Sequence, residues 1–362
     1  MQGVFGVARV FSLLVSLWVA GCAPAVAKPH PDADRVLVVV NTLSSDSVEL
    51  GRYYSLRRGV PAEHTLGVSL PVRDEVGSDE FRTKLLDPVR AKIKSLDKRI
   101  DFIVLTRGVP IRIREGGYSV DGRLAAMDLP VLSITKPEPE NIQRSINPYF
   151  AKNERFDSSR YGFYLVTRLD GWDLATCKKL VDNAVNARPL KGLFFFDEAD
   201  NRRSGGYGAL QELMGKAKEI LEQKGFRAQL ETTGKFVAPS EPLMGYVSWG
   251  SNDGAFDKAA YHRLRFHPGA IAETFVSTSG YTFSKKEDHW QSLVTDLIAQ
   301  GVTGIKGYVS EPFTFALARP DILFDRYTSG FNLAESFYMA SPVLKWKDIV
   351  IGDPLCAPYR EL

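Results

Sequence analysis

Two apolar runs in the last third of the chain, 244–249 and 271–276, lead into small polar residues. The first continues as Gly250-Ser251-Asn252-Asp253 and the second as Ser277-Thr278-Ser279-Gly280. In an open α/β sheet, the ligand crevice lies beyond the carboxyl ends of the strands. The hydroxyl, amide and carboxylate groups of both segments are therefore predicted to line one shared pocket. Its predicted residues are Trp249 as an apolar wall, Ser251, Asn252, Asp253, Ser277 and Ser279, with Glu311 or Asp353 nearby.

Serine hydrolysis is one chemistry that these segments suggest. A nucleophile elbow requires the pattern Gly-x-Ser-x-Gly, and both segments lack its leading glycine. A nucleophilic serine also requires a base within reach, and the nearest histidines in sequence are His262, His267 and His289. The hydrolase hypothesis therefore pairs Ser277 or Ser279 with His267 or His289. The alternative is that the hydroxyls satisfy backbone groups at the strand ends.

Metal and phosphate chemistry are less well supported. Asp197, Glu198 and Asp200 follow an apolar run and carry hard ligands suited to calcium or magnesium. They lack the rhythm of an EF-hand loop, and helix capping or a solvated turn explains them equally well. The glycine-rich segment 203–208 matches no phosphate-binding fingerprint. The sequence predicts no metal and no cofactor.

A second candidate cleft involves Arg107, which ends the apolar run 101–106, and Asp121. Arginine is a natural clamp for carboxylates, so the two side chains are predicted to pair across a cleft. A structural ion pair that stabilises a loop is the alternative.

The first residues are typical of an export signal rather than of a folded element. An apolar segment, 10–20, is too short to span a membrane, and Val19-Ala20-Gly21-Cys22 resembles the signal of bacterial lipoproteins. Residues 1–21 are therefore predicted to be a signal peptide, Cys22 the lipidated residue and 22–34 a tether. Because Ala23 rather than Asp follows the cysteine, an outer-membrane lipoprotein facing the periplasm is expected. Cleavage after Ala27 in an ordinary secreted protein is the alternative.

Charge and cysteine content limit the classes of partner and of metal site that the chain is expected to have. The formal net charge is only +3, and without a block of basic residues on one helix face a nucleic-acid partner is not indicated. Beyond Cys22, only Cys177 and Cys356 are present, which are too few for a metal cluster or a disulfide framework. A bridge between these two cysteines stays open.

Continuous apolar runs of strand length alternate with amphipathic helical segments along most of the chain. Such runs are typical of strands buried on both faces, with helices as parallel crossovers. The sequence predicts an α/β fold of two tandem parallel-sheet units, 35–113 and 161–362, joined by connecting loops over 114–160. Each of the runs near 36–40, 102–106, 193–196, 244–249 and 271–276 is expected to lie parallel to a neighbour.

Six segments spread along the chain carry a further resemblance: 39–47, Tyr53-Tyr54, 106–110, 119–121, 332–338 and 351–356. Together they resemble an uncharacterised bacterial family found in species that carry the exosortase system for surface-protein sorting. The resemblance covers nearly the whole mature chain and implies an exported envelope protein.

The second unit is also similar to gingipain-type cysteine peptidases, whose catalytic domain has a caspase-like fold. In those enzymes one strand ends in Gly-His-Gly, and the next ends in a small-residue run that holds the catalytic cysteine. Here the matching tips read Trp249-Gly250-Ser251 and 276–279 without His or Cys, although Gly352-Asp353-Pro354 matches. The resemblance implies the fold and argues against cysteine peptidase activity.

These observations predict a lipid-anchored pseudoenzyme that acts as a binding or assembly module at the cell envelope. Its expected partner is an envelope protein or peptide, and the family resemblance implies a link to exosortase-dependent sorting. The alternative is a hydrolase that uses Ser277 or Ser279 with a loop histidine.

Overall fold

The computed structural model describes residues 29–129, 146–285 and 290–360. The predicted signal peptide, Cys22, most of the tether and His289 lie outside the described residues. No helix in the described ranges is long and apolar enough to cross a membrane.

The described elements alternate strands and helices as the sequence predicts. The strands are β1 (Val36–Asn41), β2 (Thr65–Val68), β3 (Glu75–Val76), β4 (Phe102–Thr106), β5 (Arg112–Ile113), β6 (Leu165–Leu169), β7 (Leu193–Asp197), β8 (Arg227–Glu231), β9 (Leu243–Ser248), β10 (Phe266–Thr274), β11 (Gly304–Tyr308) and β12 (Asp348–Gly352). The helices are α1 (Ser45–Arg58), α2 (Ser78–Phe81), α3 (Asp87–Ser95), α4 (Val120–Ala125), α5 (Ser158–Tyr161), α6 (Leu174–Val185), α7 (Gly205–Gln223), α8 (Lys258–Tyr261), α9 (Val294–Ala299), α10 (Pro320–Thr328) and α11 (Leu333–Ala340).

Ten strands form one continuous sheet in the order β2-β1-β4-β6-β12-β11-β10-β9-β7-β8. The strands of the N-terminal half, β2-β1-β4-β6, are parallel to one another. Those of the C-terminal half, β8-β7-β9-β10-β11, are also parallel to one another, and β12 runs antiparallel to β11. The predicted α/β class and the predicted parallel pairings are confirmed.

The two predicted units share a single sheet and do not coincide with its halves, since β6 of the predicted second unit belongs to the N-terminal half. Strand β6, which follows the predicted connecting segment, pairs with β4 over five positions. The C-terminal strand β12 lies between β6 and β11 and joins the two halves of the sheet. The segment 114–160 also contains a short helix, α4, capped by the Ser119 side chain. A helix of six residues is too short to show a periodic apolar pattern.

Burial explains why the central strands are continuously apolar. Every residue of β1, β4, β6, β7 and β9 is buried, because helices cover both faces of the sheet. Helices α1, α6 and α9 pack in one group, and α7, α10 and α11 in another.

Local signals fix the ends of these helices. The Ser44 side chain accepts a hydrogen bond from the Ser47 amide at the start of α1, and Gly59 ends the helix in the left-handed conformation, with φ of 70°.

The cysteines Cys177 and Cys356 are both free and buried, so the disulfide that the sequence left open is not formed.

Candidate functional site

The two polar strand tips lie side by side at one edge of the sheet. Strands β9 and β10 are parallel neighbours, with Ser248 in register with Thr274. Beyond the strands, the Phe275 amide donates to the Ser248 carbonyl at 2.9 Å, and the Asn252 side chain donates to the Phe275 carbonyl at 2.7 Å. The structure therefore brings together the segments that the sequence places in one pocket.

Several polar groups at these tips stabilise the backbone instead of facing a ligand. The Ser248 hydroxyl accepts from the Gly250 amide at 3.1 Å, and the Asp253 carboxylate accepts from the Ala255 amide at 2.8 Å. The Ser279 hydroxyl is buried without a hydrogen-bond partner among the described residues. The contacts of Ser248 and Asp253 favour the alternative in which these polar groups satisfy the local backbone, whereas Ser279 does not support it.

Trp249 is part of the core, so the prediction that it forms an apolar wall on which a ligand stacks is wrong. It is only 2% exposed, and its indole N–H donates to the Gln211 side chain at 2.9 Å. Its ring packs edge-on against Phe275 and Tyr207, with centroid separations of 4.9 and 5.5 Å. Tyr207 and Gln211 both belong to the first two turns of α7, so the indole packs against the N-terminal part of this helix.

The predicted pairing of Ser277 or Ser279 with His267 is also wrong. His267 lies at the start of β10, whereas the serines follow the end of this strand. From His267 to Thr274 the strand rises about 23 Å at ~3.3 Å per residue. The other predicted base, His289, lies outside the described residues.

Asp353 lies at the opposite edge of the sheet, because β12 runs antiparallel to β11. Its carboxylate accepts from Arg58 Nε at 2.5 Å and from the Tyr54 hydroxyl at 3.0 Å. The prediction that Asp353 contributes to the pocket at the strand tips is therefore wrong. Glu311 follows β11 at the expected edge, but it is exposed and its side chain accepts from the Phe313 amide at 2.9 Å.

Arg107 and Asp121 do not form the predicted ion pair, because Arg168 lies between them. Arg168 donates to both carboxylate oxygens of Asp121, at 3.0 and 2.6 Å, and also contacts Asp170 at 3.4 Å. Arg107 pairs with Asp170 at 3.2 Å and with Asp46 at 3.6 Å. We call these five residues the charge chain.

Burial perturbs the carboxylates of the charge chain. Arg168 is fully buried, and Asp121 and Asp170 are nearly so. Burial raises the pKa of Asp170 to about 6 against the opposing effect of the two arginines, and it also raises the pKa of Asp121. Arg107 and Asp170 line a polar crevice of about 330 Å³ together with the start of α1 and the loop after β10. We call it the Arg107 crevice.

A larger pocket of about 970 Å³ opens beside the β9 tip and extends along α9. We call it the α9 pocket. Three parts of the chain line it. The loop after β6 and α6 contribute Trp172 and Lys179. The segment from the β9 tip to the residue before β10 contributes Ser251, Phe256, Lys258, Tyr261, His262 and Arg265, and the segment from the loop after β10 to the end of α9 contributes Lys285, Trp290, Gln291, Ser292, Leu293, Asp296, Ala299 and Gln300.

Two serines connect the β9 tip to the segment that precedes α9. The Ser251 amide donates to the Ser292 hydroxyl at 3.1 Å, and the Ser292 amide donates to the Ser251 hydroxyl at 2.9 Å. Nearby, His262 Nε2 lies 3.5 Å from Asp296 Oδ2. Of the predicted pocket residues, Ser251 is the one that lines the α9 pocket.

The remaining lining combines basic and aromatic side chains that sequence reasoning missed. Lys179, Lys258, Arg265 and Lys285 are exposed, and Trp290 is 75% exposed. The Lys285 ammonium lies 5.2 Å from the ring centroid of Trp172. These residues come from four separate segments, so no local motif could have grouped them.

The three acidic residues at the end of β7 and directly after it do not form a metal centre. Glu198 and Asp200 both pair with Arg203, whereas the Asp197 carboxylate accepts from the Val237 amide at 3.3 Å. Burial raises the pKa of Asp197 to about 8, and Asp253 and Glu231 add to the rise. In the described part of the chain, no group of three His, Cys, Asp or Glu side chains is arranged to hold a metal ion.

Comparison with known proteins supports the fold. No protein-family model matches the sequence, and no curated protein matches it either. A solved structure described as "Structure of Protease" matches with a TM-score of 0.51 and 10% identity, over 91% of this chain and 80% of that chain. At this identity the likeness shows the fold alone: a large, mostly parallel sheet flanked by helices, shared with a protease.

Proposed function

We propose that this chain is an exported lipoprotein that binds a peptide segment of an envelope protein in the α9 pocket without cleaving it. The observation that carries the proposal is the position of this pocket, which opens at Ser251 beside the adjacent tips of β9 and β10. Ligands of open α/β sheets bind beyond the carboxyl ends of the strands.

The cysteines argue against cleavage by a thiolate. The thiolate rather than the thiol is the reactive species. Burial raises the pKa of Cys356 to about 12 and also raises the pKa of Cys177. Neither residue lies at the tips of β9 and β10, and these tips contain no histidine.

The proposed lipid anchor rests on the sequence Val19-Ala20-Gly21-Cys22. We expect the Cys22→Ala variant either to leave the membrane fraction or to accumulate unprocessed, because the thiol to be acylated is missing. Fractionation followed by mass spectrometry of the N-terminal peptide measures this. A protein that is soluble with Cys22 intact would contradict the proposed anchor.

Peptide binding is tested by filling the pocket. Ala299 lies on α9, lines the pocket and is partly exposed, so the Ala299→Trp variant should obstruct the pocket with little effect on the fold. The probe is an array of random decapeptides, and the readout is the amount of purified mature chain retained. We expect Ala299→Trp to abolish the retention that the wild-type chain shows on a subset of peptides.

The matched control is Ala91→Trp, which places the same side chain at an exposed position of α3. It should retain wild-type binding. Fluorescent casein incubated with the wild-type chain should stay intact. Equal retention by wild type and Ala299→Trp would place binding outside the α9 pocket and overturn the proposal, as would cleavage of casein that depends on the pocket.

A second candidate function is serine-dependent hydrolysis in the same pocket, with different residues from those the sequence suggested. It is favoured by the contact of His262 with Asp296, because both line the α9 pocket together with Ser251 and Ser292. Turnover of p-nitrophenyl acetate that is lost in both His262→Gln and Ser251→Ala would support this function. Turnover that survives either substitution would exclude this set of residues.

A further inference from the structure

We infer that the peptide bound in the α9 pocket is acidic and extended, an inference that rests on the function proposed above. Among the described residues that line the pocket, four are basic and one, Asp296, is acidic. The basic residues are Lys179, Lys258, Arg265 and Lys285. This excess of positive charge surrounds one cavity in a chain whose total net charge is only +3.

Carboxylates adjacent to the pocket are engaged by backbone amides. The Asp173 side chain, next to Trp172, caps α6 by accepting from the Thr176 amide at 2.7 Å. The Asp257 side chain, next to Lys258, caps α8 by accepting from the Ala260 amide at 3.0 Å. Asp296 accepts from the Leu293 amide at 3.4 Å and contacts His262. These bonds hold the carboxylates at helix ends, and neither Asp173 nor Asp257 lines the pocket, whereas Lys179, Arg265 and Lys285 do.

The basic residues elsewhere on the surface show a contrasting arrangement. On α1, Arg52 pairs with Glu49 at 3.0 Å, and on α7, Lys218 pairs with Glu222 at 2.8 Å. Both pairs follow helical spacing, which is the usual way in which surface charges neutralise one another. In the α9 pocket the basic residues instead come from separate segments and converge on one cavity.

The shape of the pocket suits a short extended segment. From Leu293 to Gln300 the wall formed by α9 is about 10 Å long, which is the length of about three extended residues. Phe256 and Trp172 are partly buried and line the pocket, so they provide apolar surface between the charged groups. We therefore expect acidic residues of the peptide to flank an apolar residue.

A peptide fits the observations better than a nucleic acid. The chain has no block of basic residues on one helix face that would follow a phosphate backbone. Aromatic and basic residues line one cavity of about 970 Å³. A sulfated glycan or a single-stranded oligonucleotide is therefore treated as an outcome of the test.

The test measures fluorescence anisotropy of two labelled hexapeptides, one of alternating Glu and Phe and one of alternating Gln and Phe. We expect the mature chain to bind the acidic peptide about tenfold more tightly than the amide peptide. The Lys179→Glu/Arg265→Glu double variant should lose this preference. The matched control, Lys94→Glu/Lys98→Glu, changes the net charge equally at two exposed positions of the N-terminal half and should keep it.

The outcomes separate this inference from the proposed function. Equal affinity for both peptides, with no effect of charge reversal but loss of binding in Ala299→Trp, would overturn the acidic preference and leave peptide binding intact. If Ala299→Trp and wild type behave alike with every peptide, the proposed function fails. Tighter binding of a single-stranded oligonucleotide or of sulfated dextran than of the acidic peptide, sensitive to Lys179→Glu/Arg265→Glu, would overturn the peptide as the occupant.

Discussion

The Arg107 crevice and the α9 pocket lie on the same sheet but place their charges in opposite ways. Arg107 and Asp170 of the crevice belong to the charge chain, which alternates in sign from Asp46 through Arg107, Asp170 and Arg168 to Asp121. Each arginine contacts two carboxylates, and Arg168 is fully buried. Among the described residues that line the α9 pocket, the basic side chains are exposed and outnumber the acidic ones.

This difference separates charges that hold the fold together from charges that are suited to bind a partner. A buried charge is tolerated only where other charges and hydrogen bonds replace its water. The charge chain meets this requirement internally, since Arg168 also donates to the carbonyls of Val109 and Pro110. The exposed basic groups of the α9 pocket retain water, which an acidic ligand can replace.

The largest loss of unfolding free energy is expected for substitution of Arg168. The Arg168→Met variant should lose about 4 kcal/mol of unfolding free energy, because Asp121 and Asp170 are left buried without their shared cation. Urea denaturation followed by circular dichroism measures the loss. Arg90→Met, which removes an arginine in surface ion pairs with Asp87 and Asp128, is the control and should cost less than about 1 kcal/mol. Similar losses in both variants would refute a structural role specific to the charge chain.

The next largest loss of unfolding free energy is expected for substitution of Trp249. Its position at the β9 tip suggested a ligand contact, but its burial indicates a core residue. The Trp249→Ala variant should lose about 3 kcal/mol, because the substitution leaves a cavity beside Phe275 and removes the hydrogen bond to Gln211. The control is Trp290→Ala at the rim of the α9 pocket, where the ring is 75% exposed and the unfolding midpoint should not change. If Trp249→Ala denatures like wild type, Trp249 is not part of the core.

The fold could be predicted from local patterns because burial on both faces imposes a direct signature. Apolar runs such as 36–40 and 102–106 identify strands that lie between two helical layers. The same patterns carry no information about which strand lies between the halves. The position of β12 between β6 and β11 depends on contacts between residues far apart in sequence, so the single continuous sheet was not predicted.

The site was predicted only in part, for a related reason. Adjacent parallel strands bring their ends together, and the meeting of the β9 and β10 tips follows from this rule alone. The side-chain directions at the tips depend on tertiary packing, so Trp249 could not be recognised as buried. Asp353 was misplaced because a strand's direction is not visible in its composition.

Asp197 is a buried carboxylate whose pKa can be compared with that of Asp170 in the charge chain. Burial raises the pKa of Asp197 to about 8, whereas Asp170, which contacts two arginines, has a pKa of about 6. Since the folded-state pKa of Asp197 lies above the unfolded value of about 3.9, the folded chain binds more protons between these values. Its contribution to stability therefore falls as the pH rises from about 4 to about 8.

The Asp197→Asn variant removes this penalty. The unfolding free energy of the variant minus that of wild type should increase as the pH rises from about 4 to about 8, because the variant has no carboxyl group that must stay protonated in the fold. Denaturation at several pH values measures the difference. Glu273 is a second buried carboxylate, with a pKa raised to about 8 chiefly by burial, so Glu273→Gln should give an increase in the same direction. A difference that is independent of pH would show that Asp197 is ionised in the fold without penalty.

The smallest effect on stability is expected at Lys179, and this prediction tests the binding side of the comparison. Lys179 is exposed on α6 and lines the α9 pocket, so Lys179→Gln removes one positive charge without removing packed atoms. Its unfolding midpoint should match wild type, as is usual for surface substitutions away from special features. Its affinity for the hexapeptide of alternating Glu and Phe should nevertheless fall about threefold. The affinity should also depend less on salt, because one of the screened attractions is gone.

Arg168→Met should show the reverse, with lowered stability and, below its unfolding transition, an unchanged preference for the acidic peptide over the amide peptide. If Lys179→Gln destabilises the chain while binding is retained, the lysine belongs with the structural charges, and the distinction between the two regions fails at this residue.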